Sequence, residues 1–238
     1  GEGSYGMYAL DSSDAVNTGS ILTSGDTSYG MIARNESGLF NSGSITTLGD
    51  GADGMEANID SMAFNEGSIL TYGFRSAGMD ANIDSTAFNL GGIIETYGDD
   101  APGMEANIDS KVFNLGSITT TGEGSIGMEA NVRSWAFSSG DITTSGDESY
   151  GMYASAVSSA DNYGTIVTSG DAAHGMVAED ESVARNYLDI TTNGENAYGM
   201  LAFNSSEVHN ILAAETIETW GAGSHGMVAD TDSYAYND

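Results

Sequence analysis

The stretch Gly49-Asp50-Gly51-Ala52-Asp53-Gly54-Met55-Glu56-Ala57-Asn58-Ile59-Asp60-Ser61-Met62-Ala63-Phe64-Asn65-Glu66-Gly67-Ser68-Ile69-Leu70-Thr71-Tyr72 is followed by Gly73, where the same order begins again. Gly-Met marks every copy, at Met7, Met31, Met55, Met79, Met104, Met128, Met152, Met176, Met200 and Met227. Successive spacings are 24, 24, 24, 25, 24, 24, 24, 24 and 27 residues. A period this strict identifies one supersecondary unit stacked on itself, so the repeat decides the fold before any isolated motif is weighed.

Within a copy the fixed residues alternate with variable ones: Met55-x-Ala57, Ala63-x-Asn65 and Ile69-x-Thr71. A period of two belongs to short strands with one buried face, not to helices. Three such strands per copy, separated by Gly, Asn and Asp, predict an all-β, single-stranded parallel β-solenoid. It is a three-sided β-helix of ~24 residues per coil and about ten coils, right-handed by the usual preference of parallel crossovers. Stacked coils ~4.8 Å apart give a rod on the order of 45 Å tall.

Each column of the repeat then becomes a ladder of like residues. The Met and Ile columns are expected to fill the core. Asn17, Asn41, Asn65, Asn89, Asn114, Asn162, Asn186, Asn210 and Asn237 form a corner column broken by Ser138. Asn tolerates the left-handed conformation of corners, and its stacked amides can bond to one another. Ile93-Ile94-Glu95-Thr96-Tyr97-Gly98 carries one residue more than Ile69-Leu70-Thr71-Tyr72-Gly73, which predicts a strand bulge. Three further residues enter between Asn210 and Ile217. Pro102 falls in the turn before Gly103-Met104, where a missing ladder donor costs least.

The repeat runs through residues 1–238 with no linker or shift in composition, which reads as one domain and as a piece of a longer chain. With 35 Asp and Glu against 5 Lys and Arg, the net charge of -30 repels nucleic acid and anionic lipid surfaces. Expected partners are cations, glycans, other proteins or further copies of the rod. The absence of cysteine excludes disulfides and thiolate metal sites. No apolar run approaches the ~20 residues of a membrane helix, so direct membrane insertion by this segment is not expected.

Function is expected in the columns that change from coil to coil. Phe40, Phe64, Phe88, Phe113 and Phe137 share one column just before the Asn corner, and Tyr72 and Tyr97 share another. Pointing outward, the Phe column makes an aromatic strip of the size that marks an interaction site. Glu56, Asp80, Glu105 and Glu129 follow Met on four consecutive coils, and Asp60, Asp84 and Asp109 form a second acidic column that Arg133 can cap. Carboxylates ~4.8 Å apart repel unless counterions lie between them, so calcium is the one cofactor these columns admit; the competing reading is a solvated acidic face.

Enzyme chemistry has little support, because His174, His209 and His225 lie on different coils and no nucleophile elbow, zinc-binding His pair or phosphate loop is present. Polysaccharide lyases and hydrolases do use parallel β-solenoids, but their sites interrupt a repeat, whereas these acids belong to it. A flat Thr array of the ice-binding kind is not expected either, since the fixed Thr column shares the inward face of Ile.

The units Asn17-Thr18-Gly19-Ser20-Ile21-Leu22-Thr23-Ser24-Gly25-Asp26-Thr27-Ser28-Tyr29-Gly30-Met31 and Asn162-Tyr163-Gly164-Thr165-Ile166-Val167-Thr168-Ser169-Gly170-Asp171-Ala172-Ala173-His174-Gly175-Met176-Val177-Ala178 resemble a repeat of bacterial autotransporter passengers and large surface adhesins. That repeat reads Asn-x-Gly-x-Ile-x-Thr-x-Gly-Asp-x-Ala-x-Gly-Ile-x-Ala. The resemblance implies an extracellular β-helix at the bacterial cell surface, with Met where Ile is usual. The expected function is a non-catalytic structural or adhesive rod, able to associate with itself. The alternatives are a polysaccharide-acting enzyme and a receptor-binding phage or secreted fibre.

Overall fold

The computed structural model describes residues 1–211 and 216–238. Among these residues, 29 short strands and no helix form three parallel sheets of ten, ten and nine strands. In one coil Met55–Asn58 belongs to sheet A, Met62–Asn65 to sheet B and Ser68–Thr71 to sheet C. Each strand pairs with its equivalents one coil away, so Met55 sits between Met31 and Met79. Like residues stack as the repeat requires, in nine coils and part of a tenth.

The alternation sorts the faces. Met31, Met55, Met79, Met104, Met128, Met152, Met176 and Met200 are fully buried, as are Ile45, Ile69, Ile94, Ile142, Ile166 and Ile190 of sheet C. Sheet B contributes Ala in most coils and Leu39, Val112 and Val208 in others. Burial of each large side chain stabilises the rod by roughly 1.5–3 kcal/mol. The fixed Thr residues also point inward: Thr71 is buried, and its hydroxyl donates to the Ser76 carbonyl at 2.9 Å.

Gly in the Gly-Met pair is imposed by packing. A Cβ on Gly54 would lie 2.2 Å from Cγ2 of Ile69 and 2.6 Å from the carbonyl oxygen of Gly78. The corner between sheets A and B is a pair of left-handed residues in every coil, for example Ile59 at φ 55° and Asp60 at φ 56°. Ser61 closes it, its hydroxyl donating to the Asn58 carbonyl at 2.8 Å while its backbone N–H donates to the Ser85 hydroxyl at 3.1 Å. The corner between sheets B and C carries the Asn ladder, with Nδ2 of Asn41 donating to Oδ1 of Asn65 at 2.8 Å. Ser138 accepts from Asn114 at 3.1 Å and donates to the Gly140 carbonyl at 2.9 Å, which ends one run of the ladder; the next begins with Asn162 donating to Asn186 at 2.9 Å.

One local expectation is corrected. Ile93–Thr96 pairs in unbroken register with Ser68–Thr71, so there is no strand bulge. The extra residue lies in the preceding corner, at Gly91, whose φ of 87° and open surroundings absorb it without disturbing the ladder. The three-residue insertion before Ile217 falls largely on residues 212–215, outside the described residues. Pro102 sits where neighbouring coils use the N–H only toward side chains, as Ala77 does toward Asp53 at 2.7 Å, so no ladder bond is lost.

Candidate binding surfaces

Phe40, Phe64, Phe88 and Phe113 lie on the outer face of sheet B and stack with centroid separations of 5.0, 5.1 and 4.9 Å and interplanar angles of 8°, 3° and 9°. Coplanar rings would collide at that spacing, so the rings overlap and turn their faces largely toward one another. Solvent meets a ridge of ring edges. Phe137 continues the ridge at 6.0 Å, tilted by 45°, with Trp135 edge-on to Phe113 at 5.2 Å. Each aromatic pair adds about 0.5–1.5 kcal/mol beyond area burial. Phe40, at the end of the stack, is 40% exposed; Met62 beside it is 50% exposed.

Shallow grooves flank the ridge at Phe40 and Phe64. One includes Asp14, Glu36 and Asp60, and the other Val16 and Glu66. Tyr72 and Tyr97 stack at 4.9 Å on the turn that follows sheet C, so one whole strand of each coil separates them from the Phe ridge. They form a second, smaller aromatic spot.

Among the acids, Asp60, Asp84 and Asp109 are exposed in the left-handed corners, and Arg133 caps the column as its position implies. Its Nε and Nη2 donate to Oδ1 and Oδ2 of Asp109 at 2.8 and 2.5 Å, which lowers the Asp109 pKa.

The other acidic column does not form a solvated face. Glu56 and Asp80 are buried at 5% and 9% exposure, and Glu105 and Glu129 are partly buried. Alternation does place them outside sheet A, but the turn leading into each Gly-Met folds back over that face. Tyr29, Asp53, Ala77 and Pro102, each two residues before Met, wall a groove of about 330 Å³ with Asp80, Glu105 and Glu129. Asp53, buried at 8% exposure, adds a fifth carboxylate that the column alignment missed.

Each acid is held by the Asn two residues further along its own strand. Nδ2 of Asn58, Asn82, Asn107 and Asn131 donates to Glu56, Asp80, Glu105 and Glu129 at 3.0, 2.5, 2.8 and 2.9 Å. The signal was present as Met-acid-Ala-Asn on four consecutive coils. Burial pushes the pKa of Asp53, Asp80 and Glu105 up, and that of Glu129 to about 7, where the charge of Glu105 adds to it. Tyr29 is pushed up by burial and then by Asp53. Oδ1 of Asp80 is buried without a hydrogen-bond partner. Among the described residues, no three Asp, Glu or His side chains converge as a ready-made metal centre would require.

On later coils the same position two residues before Met, which holds Tyr29, Asp53, Ala77 and Pro102 at the groove, becomes a ring stack. His174 lies between Tyr150 at 5.2 Å and Tyr198 at 4.8 Å, and its Nδ1 accepts the Tyr198 backbone N–H at 2.9 Å. Burial lowers its pKa to about 4.

Residues 1–93 and, overlapping them, residues 76–189 each match the family model of the BigA third pectate lyase-like domain. The double match mirrors the repeat, since one set of coils superimposes on the next. No curated protein and no solved structure matches the chain.

Proposed function

The chain belongs to the BigA third pectate lyase-like domain family, a β-helix of a bacterial surface protein, and from that premise we propose that it is a non-catalytic adhesive rod. It stands outside the cell and makes contact along the ridge of sheet B. Stability of such a solenoid is close to a sum over coils and their interfaces, which allows its outer columns to vary without endangering the fold.

The observation that carries the reading is the Phe ladder. Four stacked rings and a tilted fifth on an outer sheet face form a continuous apolar surface in a chain of net charge -30. Such strips mark interaction sites in soluble proteins. The overlapped ring faces favour edge contacts with a protein surface or a neighbouring rod; sugar stacking has a free face only near Phe40.

The test is binding of the purified chain to arrays of extracellular matrix proteins and glycans, with a Phe64→Ser/Phe88→Ser variant alongside. The proposal expects saturable binding to at least one class and its loss in the variant. Binding that survives unchanged, or none at all, contradicts it.

One observation favours a second reading, an enzyme acting on polysaccharide: the groove over sheet A gathers carboxylates, with Glu129 at a pKa of about 7, and places Arg75 among its lining residues. A general acid needs such a pKa. Release of unsaturated or reducing sugar ends from neutral and acidic polysaccharides, abolished by Glu129→Gln, would establish it in place of the first.

A further inference from the structure

We propose that the groove over sheet A on coils three to six binds an ammonium-bearing ligand, either a linear polyamine or lysine side chains of a partner chain, laid along its column of carboxylates. The site is separate from the Phe ridge, and the proposal does not depend on the adhesive reading.

The groove has a defined length. Asp80, Glu105 and Glu129 line it and Glu56 continues their column one coil further; the four are paired strand to strand in register, so three steps of ~4.8 Å make a line of acids on the order of 14 Å. Ile32 replaces the acid at one end, and Tyr153 replaces it at the other, where its hydroxyl donates to Glu179. Asp53 reaches the same groove from the turn that roofs it.

Its chemistry is that of an acceptor-lined groove suited to a cation. Asp80 is 9% exposed and its Oδ1 has no donor, an unfavourable condition for a buried acceptor and more so for a charged one. Each acid accepts the Asn amide of its own strand, and Glu105 is also held by Asn131, which still leaves acceptor capacity toward the groove. Arg75 is the basic residue in the lining; its side chain is 69% exposed, and its Nε lies 3.6 Å from Asp100, which also lines the groove, so it pairs at the rim and does not neutralise the buried column.

Ammonium suits this arrangement better than a metal ion. A hard divalent ion needs several oxygens drawn around one point at ~2.3–2.6 Å. No such convergence exists among the described residues. An ammonium group donates three hydrogen bonds at ordinary distances to oxygens spread along a line, and a chain of such groups matches a column of acids on successive coils. The upward pKa shifts of Asp53, Asp80 and Glu105, caused first by burial, agree with this, since positive charge laid along the column would offset the cost of burying their charged forms.

The experiment is calorimetric titration of the chain at ~0.15 M salt with spermidine and, separately, with an acetylated lysine pentapeptide. The variants are Asp80→Asn/Glu105→Gln in the groove and Asp60→Asn/Asp84→Asn in the exposed column. The expected result is saturable one-site binding of an amine that weakens at least about tenfold in the groove variant and is little changed in the exposed one. Binding of spermidine alone points to a free polyamine, and binding of the peptide alone to a partner's lysines. Neutralising buried carboxylates should preserve the fold, which a thermal melt checks; Asp80→Asn alone carries the test if the double variant does not fold. Absence of saturable binding by either amine overturns the proposal. So does an equal loss in both variants, or calcium binding the same groove more tightly than either amine.

Discussion

Asn65 donates from Nδ2 to Oδ1 of Asn89, one coil further on, at 2.9 Å. Its own Oδ1 accepts from Nδ2 of Asn41 and from the backbone N–H of Gly67 at 3.2 Å. Asn65 is fully buried. One amide thus closes its own corner and links three coils.

Asn65→Ala takes the ladder acceptor from Nδ2 of Asn41 and the ladder donor from Oδ1 of Asn89, and leaves Asn41 Nδ2 and the Gly67 N–H only their longer bonds to the Gly43 and Asn41 carbonyls at 3.5 and 3.2 Å. Each weakened or unsatisfied buried group costs about 1–3 kcal/mol. The expected loss is roughly 3 kcal/mol in urea unfolding. Asn65→Ser should lose less, because Ser138 already accepts from Asn114 and donates to the Gly140 carbonyl at 2.9 Å. Equal losses for the two variants would show that the ladder is not the stabilising element.

Gly103→Ala is expected to be among the most damaging single-methyl additions in the rod. The new Cβ would meet Ile118 Cγ2 at 2.3 Å and the carbonyl oxygen of Gly127 at 2.6 Å, and the backbone oxygen belongs to a paired strand entry that cannot yield cheaply. Overpacking of this kind costs about 1–3 kcal/mol or more. Gly19→Ala, where no heavy atom lies within 4 Å of the added carbon, is the matched control and should unfold at nearly the wild-type midpoint.

Glu129 makes stability fall as pH rises. Its folded pKa is about 7 against an ordinary 4.5, so the folded chain keeps a proton that the unfolded chain gives up. The contribution is intact below about 4.5 and is lost progressively up to about 7. At ~1.4 kcal/mol per unit the loss reaches at most about 3 kcal/mol, shared with its neighbour Glu105. Glu129→Gln should therefore match wild type at acid pH and exceed it in unfolding midpoint at pH 8. Parallel pH curves for the two proteins would contradict the buried acid column.

His174 acts in the opposite direction. With its pKa lowered to about 4 from 6.5, it is held neutral in the folded chain while the unfolded chain takes up a proton. Its contribution is intact above about 6.5 and lost as pH falls to about 4. His174→Tyr continues the ring stack of Tyr150 and Tyr198 without a titrating group. Denaturant titrations between pH 4 and 7 should show an acid-side decline in wild type that is shallower in the variant.

The fold was legible because one constraint repeats: Met55, Ile69, Asn65 and Thr71 each recur at a fixed offset, and period-two alternation states which face each occupies. The Phe column was legible for the same reason. Its ring geometry was not, since overlap of Phe64 on Phe88 depends on the spacing of the coils and on rotamers.

The error over Glu56 and Asp80 has a different origin. Alternation distinguishes the two faces of a strand but says nothing of a turn that folds over the outer one. Residues such as Asp53 and Pro102 vary in type from coil to coil, so no column announced them as a roof. The bulge assigned to Ile93–Thr96 failed because counting from one Gly to the next cannot tell which corner holds an extra residue; only the φ of Gly91 does.

The central claim is that contact runs along the Phe ridge, and adhesion of chain-coated beads to host-cell or bacterial surfaces tests it most directly. Beads carrying the wild-type chain should adhere, and beads carrying Phe64→Ser/Phe88→Ser, a variant confirmed as folded by circular dichroism, should adhere at near background. Equal adhesion of the two would contradict the account.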